Sequence, residues 1–233
     1  MTDLTIYERA LDFVPDGAVI GLGSGRAAWA FVERLGGRIR AGRLHVHGVP
    51  TSHETARIAA LHGVPLVSLA DAPELALTVD GADEVDPDLN LIKGYGRALI
   101  REKIVAANSR RLVILVGNEK LVPRLGTRGR LPVEVVPFAV PLCERMLAKL
   151  GAKPTLWQLD GKPGITDNGN YILDCQIEPI ADARRLESDI RAIPGVVGTG
   201  LFIDMTETVL VGEGSDFRLI EEKKQNVKAS GAA

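Results

Sequence analysis

Residues 78–107 read TVDGADEVDPDLNLIKGYGRALIREKIVAA. An apolar strand ending in Leu77 and Val79 breaks at Asp80-Gly81, and an acidic loop runs from there to Lys93. A turn bracketed by Gly94 and Gly96 then opens a helix that carries Glu102. Working outward, the same strand-to-helix alternation recurs on both sides. Upstream lie strands 18–22, 44–49, 64–67 and 76–79, with helices 27–35 and 52–62; downstream are the helix 97–107 and the strand 112–116, LVILV. Strands spaced by helices of roughly ten residues predict βαβ units and a mostly parallel sheet. Uninterrupted apolar strands predict a sheet covered on both faces.

The texture changes after Lys120. Residues 126–132 (GTRGRLP) form a polar linker, and then strand 133–136, helix 140–150, strand 153–159, a turn-rich connection 161–170, strand 171–177, helix 182–192 and strand 196–203 follow. The order βαββαβ is that of a split, ferredoxin-like unit. The strand 208–211 returns to the first sheet. The expected architecture is α/β: a Rossmann-like domain of residues 1–127 plus 206–233, with a ferredoxin-like α+β domain of residues 128–205 inserted in it. The tail after Lys223 is expected to fray.

Composition narrows the function. The 233 residues carry 28 basic and 30 acidic side chains with no basic block, which argues against nucleic acid as the main partner. The N-terminal pattern Leu4, Tyr7, Leu11, Val14 is an amphipathic helix with no signal-peptide core, and the longest apolar run is far too short to span a bilayer. A soluble, cytoplasmic protein with no membrane partner is expected. Cys143 and Cys175 make no disulfide framework and read as buried small hydrophobes.

Each motif has a bland reading and a functional one. Gly21-Leu-Gly23-Ser24-Gly25-Arg26-Ala27 lies where the first strand feeds its helix, which suits either a packing turn or an anion. The second strand ends His45-Val-His47-Gly48 without the acid that holds a ribose hydroxyl, so a dinucleotide site is poorly supported, and no P-loop is present. His45 and His47 lack further ligands at metal-binding spacing, so no metal is expected. Thr51, Ser52 and Thr55 suit helix capping, on the rim where open α/β sheets bind ligands. Glu84, Asp86 and Asp88 read as solvated loop acids. Asp80 and Asp83, converging on Lys93, read as functional; Glu102 lies on a helix stripe between Ala98 and Ala106, a spacing that leaves room for a ligand but suits an ordinary solvated glutamate better.

Together these segments closely resemble ribose-5-phosphate isomerase, type A. The run VDGADEVDPDLNLIKG-x-G-x-ALIREKIVA carries most of the likeness, with GLGSG, TS-x-x-T, LPVEVVPFA, GITDNGNYILDC and IPGVVGTGLF in the same order along nearly the whole chain. The resemblance implies an aldose–ketose isomerase of ribose 5-phosphate and ribulose 5-phosphate, without metal or nucleotide, assembled as a homodimer or homotetramer. It implies Glu102 as the proton-transferring base and Lys93 with the 94–96 turn as stabilisers of developing negative charge. Asp80 and Asp83 would orient hydroxyls, and Asp80 would assist ring opening. Ser24, Gly25, Arg26, Ala27, Ser52 and Lys120 would surround the phosphate or far hydroxyls, and Gly81, Ala82, Gly94, Tyr95 and Gly96 would line the sugar. Two departures stand out: Arg26-Ala27 replaces the family's Ser-Thr, and Tyr95 and Arg97 interrupt its run of glycines. The alternatives are a non-catalytic sugar-phosphate sensor and an isomerase with altered sugar-phosphate preference.

Overall fold

The computed structural model describes residues 5–213 and 216–221. In chain order the elements begin with α1 (Ile6–Ala10), β1 (Val19–Leu22), α2 (Arg26–Arg40), β2 (His47–Pro50), α3 (His53–Leu61), β3 (Thr78–Gly81), β4 (Glu84–Val85), β5 (Leu91–Ile92), α4 (Leu99–Ala107) and β6 (Leu112–Gly117). They continue with β7 (Arg130–Val135), α5 (Val140–Lys149), β8 (Lys153–Leu156), the hairpin β9 (Gln158–Leu159) and β10 (Lys162–Pro163), and β11 (Tyr171–Gln176). The last are α6 (Ala183–Arg191), β12 (Val196–Thr199), β13 (Leu201–Phe202), β14 (Thr208–Glu213) and β15 (Asp216–Glu221).

Six strands form the main sheet in the order β15-β14-β6-β3-β1-β2. All neighbours are parallel except β15, which closes the edge antiparallel to β14. Phe31, Val32 and Leu35 of α2 bury against Ile20, Leu22 and Val79 on one face, while Ala106 of α4 and Phe202 pack with Leu112, Ile114, Val209 and Val211 on the other. Each large side chain so buried stabilises the sheet by about 1.5–3 kcal/mol. From β1 the chain goes to β2 on one side and then to β3 on the other. The crevice outside the carboxyl ends of β1 and β3 is therefore a topological switch point, the place where open α/β sheets bind ligands.

Between β6 and β14 the chain builds a four-stranded antiparallel sheet, order β12-β7-β11-β8, with α5 and α6. Its core of Leu131, Val133, Val135, Cys143, Leu147, Leu173 and Cys175 is separate from the first. This is the inserted ferredoxin-like α+β unit that the order of elements predicts. A third small sheet, β13-β5-β4, links the two, and Lys93 N–H donates to the Gly200 carbonyl at 2.8 Å just beyond it.

Several local expectations give way. Residues 64–67 contribute only a single bridge, Gly48 to Leu66. The predicted strand 196–203 divides at Gly200 into β12 and β13, which serve different sheets, because Gly200 packs so closely on the Lys93 carbonyl that a Cβ would overlap it. β15 was not among the expected strands; its sequence is DFRLIE, and all its residues but Ile220 are exposed on the sheet edge. Glu84 is fully buried instead of solvated, and its carboxylate accepts from Gly126 N–H at 2.6 Å and Arg128 N–H at 2.8 Å, tying down the linker turn. Cys143 and Cys175 are free and buried, as expected of small hydrophobes. Among the described residues no helix is long and apolar enough to cross a membrane. The predicted fraying after Lys223 falls outside the described residues.

Candidate active site

The floor of the switch-point crevice is a buried cluster of three charges. Lys93 Nζ lies 2.9 Å from Asp80 Oδ2 and 3.2 Å from Glu102 Oε2, and it donates to the Gly81 carbonyl at 2.6 Å. Lys93 and Glu102 are each 3% exposed and Asp80 is 1% exposed, so the cluster is screened from bulk water. Below it, Lys93 Nζ stands 5.5 Å from the centroid of the Phe202 ring, a favourable cation–aromatic contact.

Each group arrives from a different element. Asp80 ends β3, where its Oδ1 accepts from Gly81 N–H at 2.7 Å and from Ser24 N–H at 3.1 Å. That approach requires glycine at position 23, since a Cβ there would overlap the Asp80 carboxylate. Lys93 follows β5. The Gly94–Arg97 turn, closed by Arg97 N–H on the Gly94 carbonyl at 3.0 Å, then launches α4 so that Glu102 falls in its first turn and faces inward. Asp83 is held by Tyr95 N–H at 2.9 Å.

Burial pushes the Glu102 carboxyl up to about 8; Lys93 opposes that rise and Asp80 adds to it. Burial also raises Asp80, with Lys93 and two backbone N–H groups opposing. For Lys93 burial acts downward, but Asp80 and Glu102 outweigh it and hold the ammonium above its ordinary value. Asp80 has two N–H donors on its other oxygen; Glu102 has the ammonium and little else. Glu102 is therefore the carboxylate with fewer donors, and burial holds its carboxyl at about 8, close to the range in which a general base works best.

Above this floor opens a cavity of about 550 Å³. Ser24, Gly25, Arg26 and Ala27 line it at the start of α2; Gly81, Ala82, Asp83, Lys93, Gly94, Gly96 and Glu102 line it beside the charge cluster; Lys120, in the turn after β6, lines it too. Gly25, at φ +97°, starts α2 without a side-chain cap, so that helix presents uncapped backbone N–H groups to the cavity. Among the described residues no group of three or more His, Cys, Asp or Glu side chains could hold a metal ion.

Three of the residues singled out in the sequence lie off the cavity surface. Asp80 sits beneath it, with its oxygens taken up by Lys93, Ser24 and Gly81. Ser52 lies behind Ser24: it caps α3 and its Oγ accepts from Ser24 Oγ at 2.8 Å, in a hydroxyl lattice with Thr51 and Thr55. The Tyr95 ring turns away, its hydroxyl donating to the Arg130 carbonyl at 3.0 Å and its face stacked under the Arg130 guanidinium. Arg97 also leaves the site, at φ +70°, and pairs through both terminal nitrogens with Asp174 at 2.8 and 2.9 Å. The interrupted glycine run thus adds neither bulk nor charge to the cavity. Conversely, Tyr7, Trp29 and Glu119 line it unannounced. Tyr7 reads as one more apolar position of an amphipathic helix, and only the position of Trp29 one turn into α2 hinted at its place.

A profile of the family Ribose 5-phosphate isomerase A (phosphoriboisomerase A) matches residues 47–216. The chain belongs to this family. The ribose-5-phosphate isomerase A of Roseiflexus castenholzii is 51% identical over 206 residues, covering 88% of each chain. Among solved structures, ribose 5-phosphate isomerase A from Methanocaldococcus jannaschii superposes with a TM-score of 0.89 at 41% identity, over 94% of this chain and 98% of that one. A D-ribose-5-phosphate isomerase in complex with phospho-erythronic acid gives 0.90 at 37% identity, over 94% and 97%. The family's segments from TS-x-x-T through IPGVVGTGLF lie inside the matched region, so its fold and the Asp80, Lys93 and Glu102 cluster belong to one continuous likeness.

Proposed function

We propose that this chain is an aldose–ketose isomerase that interconverts D-ribose 5-phosphate and D-ribulose 5-phosphate. The observation that carries this reading is Glu102: a buried carboxylate at the base of a cavity, sharing one lysine with a second carboxylate and raised to about 8. Family membership supports the substrate class, as does the phosphorylated sugar acid bound by a structural relative.

In the open-chain aldose, ionised Glu102 removes the C2 proton. The C1–C2 bond becomes double as the carbonyl electrons move onto O1, and Lys93 offsets the charge that develops there. Glu102, now protonated, returns the proton to C1 while the O2 hydroxyl proton moves to O1, leaving the ketose. Lys93 Nζ begins in ion-pair contact with Asp80 and Glu102 while it donates to the Gly81 carbonyl. The longer ion pair, to Glu102, is the one released as Glu102 turns to the substrate. Asp83, which lines the cavity, orients the sugar hydroxyls and assists ring opening; Asp80, beneath the surface, holds Lys93 and the Ser24 turn. The α2 N-terminus, Arg26 and Lys120 take the phosphate, so the guanidinium serves where the family's hydroxyls are missing.

The same reading assigns residues 1–127 plus 206–233 to a catalytic domain and 128–205 to a smaller one. It takes the enzyme to act in the cytoplasm as a homodimer or homotetramer. Analytical ultracentrifugation tests the assembly. The decisive assay follows ribose 5-phosphate beside other phosphorylated aldoses, with a chelator and no added metal. Turnover of ribose 5-phosphate supports the reading. Binding without turnover on every sugar replaces it with a non-catalytic sensor.

A further inference from the structure

One family-like segment, GITDNGN at residues 164–170, touches no part of the cavity. It is nevertheless tightly constructed. Glu134 of β7, fully buried, accepts at Oε1 from Thr166 Oγ1 at 3.1 Å, Asn168 Nδ2 at 3.1 Å and Asn170 Nδ2 at 2.9 Å. Thr166 N–H donates to the Asn170 carbonyl and Gly169 N–H to the Thr166 carbonyl, both at 2.9 Å, which closes the turn on itself. A buried carboxylate with three side-chain donors on one oxygen fixes this loop to the antiparallel sheet far more firmly than an ordinary surface turn.

The fixed loop then grips the main domain at two helix starts. Asp167 Oδ2 accepts from His53 N–H, the first amide of α3, at 2.7 Å, an N-terminal cap supplied from a residue 114 positions away. The Asp167 carbonyl accepts from Arg101 Nη2 at 2.7 Å, and Asn168 Oδ1 accepts from Arg101 Nε at 2.9 Å. Arg101 directly precedes Glu102 in the first turn of α4. α3, for its part, begins at Ser52 and Thr55, whose hydroxyls hold Ser24 in the cavity wall. The two helices that the loop grips therefore carry the base and support Ser24 in the cavity wall.

We infer that Asp167 and Arg101 are positioning residues: the 166–170 loop straps the first turns of α3 and α4 together and so sets the distance between the Ser24 wall and Glu102. This inference rests on the isomerase reading above. Displacing a reacting group by about 1 Å from a remote site can slow chemistry about a hundredfold. Loss of the strap should therefore appear in kcat, since the phosphate contacts that set much of the binding remain in place.

The test measures kcat, KM and Tm of Asp167→Ala, Asp167→Asn and Arg101→Met in the full-length chain, at a temperature well below every Tm. Asp167→Ala and Arg101→Met are expected to lower kcat by about ten- to a hundredfold with KM changed less than about threefold. Asp167→Asn, which keeps an acceptor for His53 N–H, should recover most of the loss. If both truncations lower Tm but retain the wild-type kcat and KM, the loop is a structural tie only and the inference is overturned. It is also overturned if Asp167→Asn is as slow as Asp167→Ala. Wild-type protein without isomerase turnover would instead defeat the underlying function, which keeps the two failures distinct.

Discussion

Glu102 meets Lys93 through a single oxygen at 3.2 Å, the looser of the two ion pairs that this buried ammonium makes. One positive charge thus faces two buried carboxylates, and the one without backbone N–H donors is the one that lines the cavity. A carboxylate held this way is stable enough to stay in place yet basic enough to take a proton from carbon.

Glu102→Gln keeps the shape and removes the base. It should lower kcat by about a thousandfold or more while sugar-phosphate affinity changes by only a few-fold. Stopped-flow or coupled turnover beside calorimetric binding of ribose 5-phosphate checks this. Near-normal turnover would assign the base elsewhere.

Lys93→Met should have a different signature. It leaves Asp80 and Glu102 buried without their shared cation, so the folded state should lose about 3–5 kcal/mol, measured by urea unfolding. Adding Glu102→Gln to Lys93→Met removes one of the two stranded charges and should restore part of that loss. A strictly additive double mutant would mean that the 3.2 Å pair carries no coupling.

How much of this was legible in the sequence depends on where each residue points. Asp80, Asp83 and Lys93 drew attention because a strand end, a loop and a glycine turn bring them to one rim. Spacing alone left Glu102 an ordinary solvated glutamate, and only the family resemblance singled it out. The structure puts Asp80, Lys93 and Glu102 in one buried cluster. Tyr95 could not be placed, because the backbone of the 94–97 turn decides whether its ring enters the cavity, and the Arg97 φ of +70° has no sequence signal in a residue with a side chain. Glu84 misled for a related reason. An acid in an acidic loop looks solvated, and only the returning 126–128 turn, more than forty residues later, supplies the N–H donors that bury it. Tyr7 and Trp29 were hidden because a cavity-lining aromatic and a core aromatic occupy the same helical positions. The ferredoxin-like order was readable throughout, since a βαββαβ sequence has few ways to pack.

Arg26 and Lys120 should act on binding. Neither is an ion-pair partner of the Asp80, Lys93 and Glu102 cluster, and both line the cavity. Arg26→Ala and Lys120→Ala are each expected to raise KM about tenfold, the loss of one charge-assisted hydrogen bond, with kcat nearly constant. The wild-type KM should also climb with ionic strength as the phosphate attraction is screened. A fall in kcat alone would remove these residues from the phosphate site.

The pH dependence joins activity and stability through one group. Glu102 works only when ionised, so kcat/KM should rise about tenfold per unit on the acid side and level off near the pH of about 8 to which burial raises its carboxyl. Its ordinary value is 4.5, so the folded state binds this proton more tightly than the unfolded chain. The contribution of the group to stability is therefore complete below pH 4.5 and is lost progressively as pH rises through about 8. Glutamine at this position cannot ionise and escapes that loss. Glu102→Gln should match wild type in Tm near pH 4.5 and exceed it by a growing margin toward pH 8, with each 1 kcal/mol appearing as about 2–4 °C. Differential scanning calorimetry of both proteins across this range measures the gap. If the margin shrinks as pH rises, Glu102 is not the carboxylate that holds the proton.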